Sequence, residues 1–441
     1  MTVPTPALRQ GKYFPLSYYQ QRMLAAALDP ETSVGFHINQ TISWAVRITP
    51  GVSSRTLRRA FDQLVLRHDS LRLRFVELGN VWRAEILPNH PIGLIIEELG
   101  EMSEAAQKKA IMARCAKPLT ALSDPMFEMC LLKFGGAGDV ILVRVHHAII
   151  DGYSIVLLLE ELLKHALSMP VSESPLSHGD FISHRGKQIL TRAEEKDAFW
   201  REGLFPLPEK LNIGRKAQGL PDLSPKNISK TNTLNDVLAP QVSAQVEVLV
   251  KNTGVSAFCH LHAAFSETLC AQAGQGAVLV HSVVGRREAA VASFIGAEML
   301  EFPLRYSCGS GAGWVSEQIS ASAEMLPTSA LDDDTLMGQE IRAKADWMRF
   351  LVHIRTPTGR FSTSPFRKIF EEAMIGKISF GFLTMERIDL PKESDSGFEL
   401  QMNVTSSPQG PQASLIGNAA SWGQADLGQL AQEIDARVQR N

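Results

Sequence analysis

The sequence predicts a mixed α/β protein of two lobes, on three observations. Its 441 residues, 44% of them apolar, suffice to bury more than one domain-sized core. Segments of strand period and of helix period alternate in both halves. A polar, Pro/Ser-rich stretch, "SMPVSESPLSHGD" (168–180), separates the halves and reads as a linker, which sets the expected lobes at residues 1–175 and 176–441.

Taken in order, "SSRTLRRAFDQLVLRH" (53–68) offers a Ser cap at Ser53 or Ser54 and then Leu57, Phe61, Leu64 and Val65 at helical spacing. "LRLRFVEL" (71–78) alternates as a strand, with Leu71, Leu73 and Phe75 on one side. "FEMCLLKF" (127–134) and "VILVRVHH" (140–147) are strand-like runs joined by "GGAGD", a hairpin signal. "YSIVLLLEELLKHAL" (153–167) is a helix apolar round most of its surface and therefore buried. After the linker come a helix in "RAEEKDAFWREGL" (192–204) and a loop-like segment, "QGLPDLSPKNISKTN". The second half continues with the helix "VSAFCHLHAAFSETLCAQA" and the strand "GAVLVHSVV". Strands in "KISFGFLTMERI" and "FELQMNVTSS" and a C-terminal helix in "ADLGQLAQEIDARVQR" complete it.

Several classes of function are excluded by composition. The 44 basic and 47 acidic side chains are spread along the chain without the basic patches that neutralise a nucleic-acid backbone. The N-terminus lacks the basic and apolar regions of a secretory signal, and no apolar run approaches the ~18 residues of a membrane helix. A cytoplasmic monomer is expected. Five cysteines without metal-ligand spacing read as buried free thiols. His260 and His262 stand two apart in a helix and so point to different faces, which argues against a metal pair; no metal site is expected.

The chemistry concentrates in "HHAIIDG" (146–152). On a strand ending at His147, Val143, Val145 and His147 share one face while Arg144 and His146 share the other, so only one histidine addresses a given cavity. His147, last on the strand, is assigned the chemical role and His146 a structural one. A histidine suits proton removal at neutral pH. Asp151 either orients the ring or pairs with an arginine and holds the loop, and Gly152 permits a tight path into the helix. A lone strand histidine is most often a satisfied core residue, but the pattern HHxxxDG arises by chance in on the order of one chain in a thousand.

These residues resemble the HHxxxDG signature of the condensation domains of nonribosomal peptide synthetases, within the chloramphenicol-acetyltransferase-like superfamily. "PLSYYQQRM" (15–23) is similar to the family's SxAQxR motif at Ser17, Gln20 and Arg22, with Tyr19 in place of alanine. "RHDSLRLRF" (67–75) resembles RHxxLRxxF at Arg67, His68, Leu71, Arg72 and Phe75. "AFWREGL" resembles the aromatic-Trp segment, "VVGRREAAVASFIGAEMLEFPLR" (283–305) resembles the GR…IGxFVNTLPLR motif, and "SPFRKIF" resembles a further segment. The resemblance implies a V-shaped pseudo-dimer of two chloramphenicol-acetyltransferase-like lobes with a central tunnel. It implies a donor thioester on the phosphopantetheine arm of an acyl or peptidyl carrier protein, and a small-molecule or carrier-bound acceptor entering from the other side, with no bound cofactor. His147 is then catalytic, and Gly152 lies beside the donor arm. Asp151 is structural and paired with an arginine, Arg286 first and Arg72 second.

The chain departs from the family at Glu298-Met299-Leu300-Glu301, which stand where Phe-Val-Asn-Thr is usual, so the acceptor is expected to differ from an ordinary aminoacyl carrier. The Met1 start and the absence of attached adenylation or carrier segments suggest a free-standing enzyme that forms an amide or ester in nonribosomal peptide or polyketide biosynthesis. The alternative is a catalytically silent module that recruits a carrier protein.

Overall fold

The computed structural model describes residues 12–28, 41–88, 92–171, 176–213, 231–285, 289–332, 335–345, 349–354, 377–380, 382–388, 390, 398–407 and 410–440. The first half comprises β1 (Lys12–Phe14), α1 (Tyr18–Leu28), β2 (Thr41–Thr49), α2 (Ser54–Arg67), β3 (Leu73–Leu78), β4 (Val81–Ile86) and β5 (Ile95–Glu98). It continues with α3 (Glu104–Cys115), β6 (Phe127–Lys133), β7 (Asp139–His146) and α4 (Gly152–Ala166). Then come α5 (His178–Leu190), α6 (Ala193–Leu204), β8 (Thr231–Leu234), α7 (Pro240–Thr253), α8 (Ala257–Ala273), β9 (Ala277–Gly285) and β10 (Met299–Ser307). The remainder is α9 (Gly311–Met325), α10 (Leu336–Lys344), β11 (Phe350–Ile354), β12 (Lys377–Phe380), β13 (Leu383–Ile388), β14 (Leu400–Ser407), β15 (Gly410–Asn418) and a C-terminal helix, Gln424–Val438.

Two six-stranded mixed sheets organise these elements, with a small sheet β1-β4-β3 beside them. The first sheet runs β12-β13-β2-β7-β6-β5, antiparallel except for the β5–β6 pair. The second runs β10-β9-β11-β14-β15-β8, with β11 parallel to both neighbours. Each sheet buries the apolar face of helices. Leu57, Phe61, Leu64 and Val65 of α2 and Ile155 to Leu159 of α4 pack on the first, where Phe61 stacks on Phe127 of β6. Val242, Leu261, Phe265, Leu430 and Ile434 pack on the second.

The mixed α/β class expected from the sequence is the class observed. Two details differ. The strands β12 and β13, from "KISFGFLTMERI", are a hairpin that joins the first sheet beside β2, so that sheet takes strands from both sides of residue 175. The cysteines are not all free: Cys270 at the end of α8 and Cys308 just after β10 come within 6.1 Å Cα to Cα and form a disulfide, leaving Cys115, Cys130 and Cys259 as thiols. Spacing alone conceals this pair, because β9 and β10 fold back between them. Among the described residues no helix is long and apolar enough to cross a membrane, and no His/Cys/Asp/Glu group could hold a metal ion.

Candidate active site

All eight residues of β7 are buried, and they alternate as a two-faced strand should. Ile141, Val143 and Val145 join the large core under α2 and α4, whereas Val140 and Leu142 join a smaller one with Ile111 of α3. Arg144, on the second face, donates to Glu128 Oε2 at 2.6 Å and to the Lys117 carbonyl. The strand stops at His146, one residue earlier than expected, and His147 is the first residue of the turn that follows.

This one-residue difference gives the histidines separate environments. His146 is 1% exposed; its Nδ1 accepts the Ala148 N–H at 3.2 Å, and its backbone N–H donates to the Met126 carbonyl at 2.8 Å. Burial, and then the neighbouring His147, lowers its pKa to about 3, so the ring is a neutral brace of the turn. His147 continues the direction of Val143 and Val145, and its ring meets Tyr19 of α1 edge-on, centroids 5.5 Å apart. Its Nδ1 is enclosed and, among the described residues, closes no hydrogen bond of good geometry. Burial lowers the His147 pKa, opposed by its own backbone, the Asp151 charge and the backbone of Ile150. The result is a neutral imidazole with proton-accepting capacity at neutral pH.

Asp151 is 1% exposed and caps α4. One oxygen accepts the Ser154 N–H at 2.8 Å, and the other accepts the Glu298 N–H, from the approach to β10, at 3.0 Å. Ser154 adds a reciprocal pair, donating its hydroxyl to the Gly296 carbonyl at 2.8 Å and accepting the Gly296 N–H at 3.0 Å. Side chains on the first turn of α4 thus grip the backbone of "IGAE" from the second half. Glu298 is in turn paired with Arg185 of α5, both buried.

The arginine expected for Asp151 is a separate matter. Arg286 lies outside the described residues, as does "SPFRKIF". Arg72 is not the partner: its guanidinium is used by Asp69 at 2.7 Å and by the carbonyls of Val65 and Leu87, and it pins the turn after α2. Gly152 also differs from expectation. Its φ is not in the left-handed region, and among the described residues nothing lies within 4 Å of where a Cβ would stand. The fold does not demand glycine here; it is an exposed residue at the mouth of the helix N-terminus.

Two further motif residues serve the frame. Arg67 and His68 converge on Glu161 of α4, at 3.1 and 2.8 Å, and fasten α2 to the helix that begins at the active turn. His260 lies 3.1 Å from the Thr253 hydroxyl and His262 is fully buried against Ser266, so the two are packing residues. Glu301, in the sequence no more than a departure from the motif, lies on β10 opposite Val283. One of its carboxylate oxygens is enclosed with no hydrogen-bond partner among the described residues, and burial, opposed by Arg22, raises its pKa to about 7. A cleft of about 520 Å³, lined by Gly51, Glu98, Lys133 and Asp139 among others, opens at the start of β7. That is roughly 24 Å from the histidines by strand rise, so it is no part of this site.

The half-buried His147 thus stands beside a helix N-terminus clamped to the second half of the chain, and the nearby Ser154 hydroxyl is committed to Gly296. The chain belongs to the condensation-domain family of nonribosomal peptide synthetases: the condensation-domain family model matches residues 10–305. One of the linear gramicidin synthase proteins of Brevibacillus parabrevis is 27% identical over 311 residues, which cover 67% of this chain and 4% of that protein. The SgcC5 protein of Streptomyces globisporus superposes with a TM-score of 0.74 at 19% identity, covering 97% of this chain and 99% of that one. The first condensation domain of the calcium-dependent antibiotic synthetase, solved with a substrate analogue, gives a TM-score of 0.69 at 19% identity over 97% and 95% of the two chains. The chain spans only a small fraction of the length of the curated relatives it matches.

Proposed function

We propose that the chain is a condensation-type acyltransferase. It joins an acyl or aminoacyl group, carried as a thioester on the phosphopantetheine arm of an acyl or peptidyl carrier protein, to an amine or hydroxyl acceptor. The product is an amide or ester in nonribosomal peptide or polyketide biosynthesis, and no cofactor of the chain's own is used. The observation that carries this reading is His147, a neutral imidazole held at the turn by a helix that is itself fastened to the second sheet.

In this reading His147 accepts the proton that the acceptor loses as it attacks the thioester carbonyl. The thiol of the leaving arm, with an ordinary pKa of about 8.5, departs with little acid assistance. Asp151 is a positioning residue: it takes the Ser154 N–H, which leaves the N–H of Gly152, at the exposed start of α4, to face the developing oxyanion. The absence of a side chain at Gly152, which the fold does not require, suits approach of the donor arm.

The test is a carrier protein loaded with candidate acyl groups, mixed with amine and hydroxyl acceptors and followed by mass spectrometry. Product formation that falls by about 10²–10⁴ in His147→Ala supports the reading. Unchanged turnover in that variant removes His147 from the mechanism, and carrier binding without turnover of any donor favours the silent recruiting module.

A further inference from the structure

We infer that Arg185, on α5, is a positioning residue for the proposed acyl transfer: by holding Glu298 it sets the segment 294–298 against Asp151 and Ser154, and so fixes the turn that presents His147. The inference goes beyond the function proposed above and rests on its reading of His147.

The segment is gripped from two sides. On one side the first turn of α4 takes its backbone: Ser154 donates to the Gly296 carbonyl at 2.8 Å and accepts the Gly296 N–H at 3.0 Å, and Asp151 accepts the Glu298 N–H at 3.0 Å. On the other side α5 takes its side chains. Phe181 stacks on Phe294 with ring centroids 4.1 Å apart, and Arg185 pairs with the Glu298 carboxylate. The Phe294 ring folds over Gly296, where a Cβ would overlap it, so this path requires glycine. α5 is itself anchored. The His178 N–H donates to Asp69 Oδ2 at 3.3 Å, which ties the helix start to the turn after α2. The Arg185 guanidinium lies 5.7 Å from the centre of the Phe181 ring and donates to Gln188 one turn on.

Charge shows what the pair is for. The Arg185 and Glu298 side chains are 9% and 2% exposed. Desolvating both ions offsets most of their attraction, so an apolar pair of the same volume would hold α5 to the segment as firmly. What the ions add is direction, because a guanidinium fork takes a carboxylate in few orientations. Glu298 carries both ends of the link: its carboxylate reaches Arg185 and its N–H reaches Asp151. A rotation of that residue therefore moves the donor on which Asp151 rests. Asp151 opens α4 four residues after His147, and the turn between them is short and hydrogen-bonded, the Ile149 N–H donating to the His146 carbonyl at 3.1 Å. Displacement of Asp151 is passed on to the imidazole, and a misplacement near 1 Å costs about 10²-fold in rate.

The test uses the full chain as Arg185→Lys, Arg185→Met, Glu298→Gln and the double variant Arg185→Met/Glu298→Gln. Arg349→Met is the control, since it breaks a different buried pair, Arg349–Glu399. Transfer from acyl N-acetylcysteamine thioesters to primary alkyl amines and alcohols is measured beside urea unfolding. Each single neutral variant is expected to lose stability by leaving a buried charge, and the double variant to regain most of it. Its kcat is nevertheless expected to stay at least tenfold below the wild type, with KM within about threefold, while Arg185→Lys recovers part of the lost kcat. The double variant leaves no buried charge unpaired, so it serves where a single variant fails to fold. A double variant that regains kcat together with stability, or an equal loss of kcat in Arg349→Met, overturns the inference. If the wild type turns over no thioester, the proposed function fails and Arg185 is judged by the His147 imidazole ¹³Cε1 resonance, identified by its loss in His147→Ala. That resonance is expected to move in the double variant and to keep its place in Arg349→Met; no movement in the double variant, or equal movement in both, overturns the inference.

Discussion

His147 and Glu301 respond to burial in opposite senses, and both responses favour the neutral form: the imidazole gives up its proton more readily and the carboxyl holds its proton longer. For Glu301 this has a consequence for stability. Its folded pKa of about 7 lies above the ordinary 4.5, so the favourable contribution is complete below 4.5 and is lost as pH rises through about 7. Glu301→Gln is therefore expected to stabilise the protein by about 1–2 kcal/mol at pH 8, a discounted figure because the residue is only part-buried, and to make little difference at pH 4. Thermal unfolding at the two pH values measures it; a variant destabilised at pH 8 would contradict the assignment. At this scale the sequence is legible in part. HHxxxDG identifies the turn, and the period of the strand separates His146 from His147. What cannot be read is that Tyr19 touches His147, or that Asp151 accepts from Glu298, because those partners are distant in sequence and one of them is a backbone group carrying no residue-type signal.

At the scale of elements, the turn is held by helix ends. Asp151 caps α4, and Arg67 and His68 fasten its middle to α2 through Glu161. Burial pushes the Glu161 pKa up, but the hydrogen bond and charge of His68, followed by Arg67, outweigh it and leave the pKa lowered. The stabilisation is present above the ordinary 4.5 and lost as pH falls through the lowered value. Glu161→Gln is expected to cost about 1–3 kcal/mol at pH 7, with the difference narrowing below pH 4.5, as chemical denaturation at each pH would report. Equal stabilities at pH 7 would mean that the Arg67–His68–Glu161 contact is not what joins the two helices. The strongly periodic elements α2, β6, β7 and α4 are readable from the residues alone. α5 hides behind the linker signal although Ser177 accepts from the Asp180 N–H, a Ser-x-x-Asp start written in the sequence. β2 hides too, despite Trp44, Val46 and Ile48 alternating into the large core. The attraction of Pro170 and Pro175 as loop markers, and the polar residues interleaved in "TISWAVRIT", obscure those signals.

The whole molecule depends on contacts between segments far apart. The β12–β13 hairpin completes the first sheet at β2, and Ile295, Phe302, Leu304 and Phe398 contribute to the core that contains α4. Residues 1–175 expressed alone are thus expected to lack a closed sheet edge and part of their core, and to be insoluble or unfolded by circular dichroism. Co-expression with 176–441 should recover folded protein, and a stable, monomeric 1–175 fragment would show that the shared hairpin is dispensable. Fold class is legible because both halves carry the same mixture of periods; the exchange of strands is not, since β pairing leaves no local mark on which sheet a hairpin joins. The central claim concerns chemistry across that assembled frame, namely that His147 moves the proton that lets an acceptor take an acyl group from a carrier thioester. Its most direct test is single-turnover acyl transfer from a loaded carrier protein, wild type against His147→Ala, with carrier binding measured in parallel. The account predicts unchanged carrier binding and product formation slower by about 10²–10⁴ in the variant; equal rates of product formation in the two proteins would contradict it.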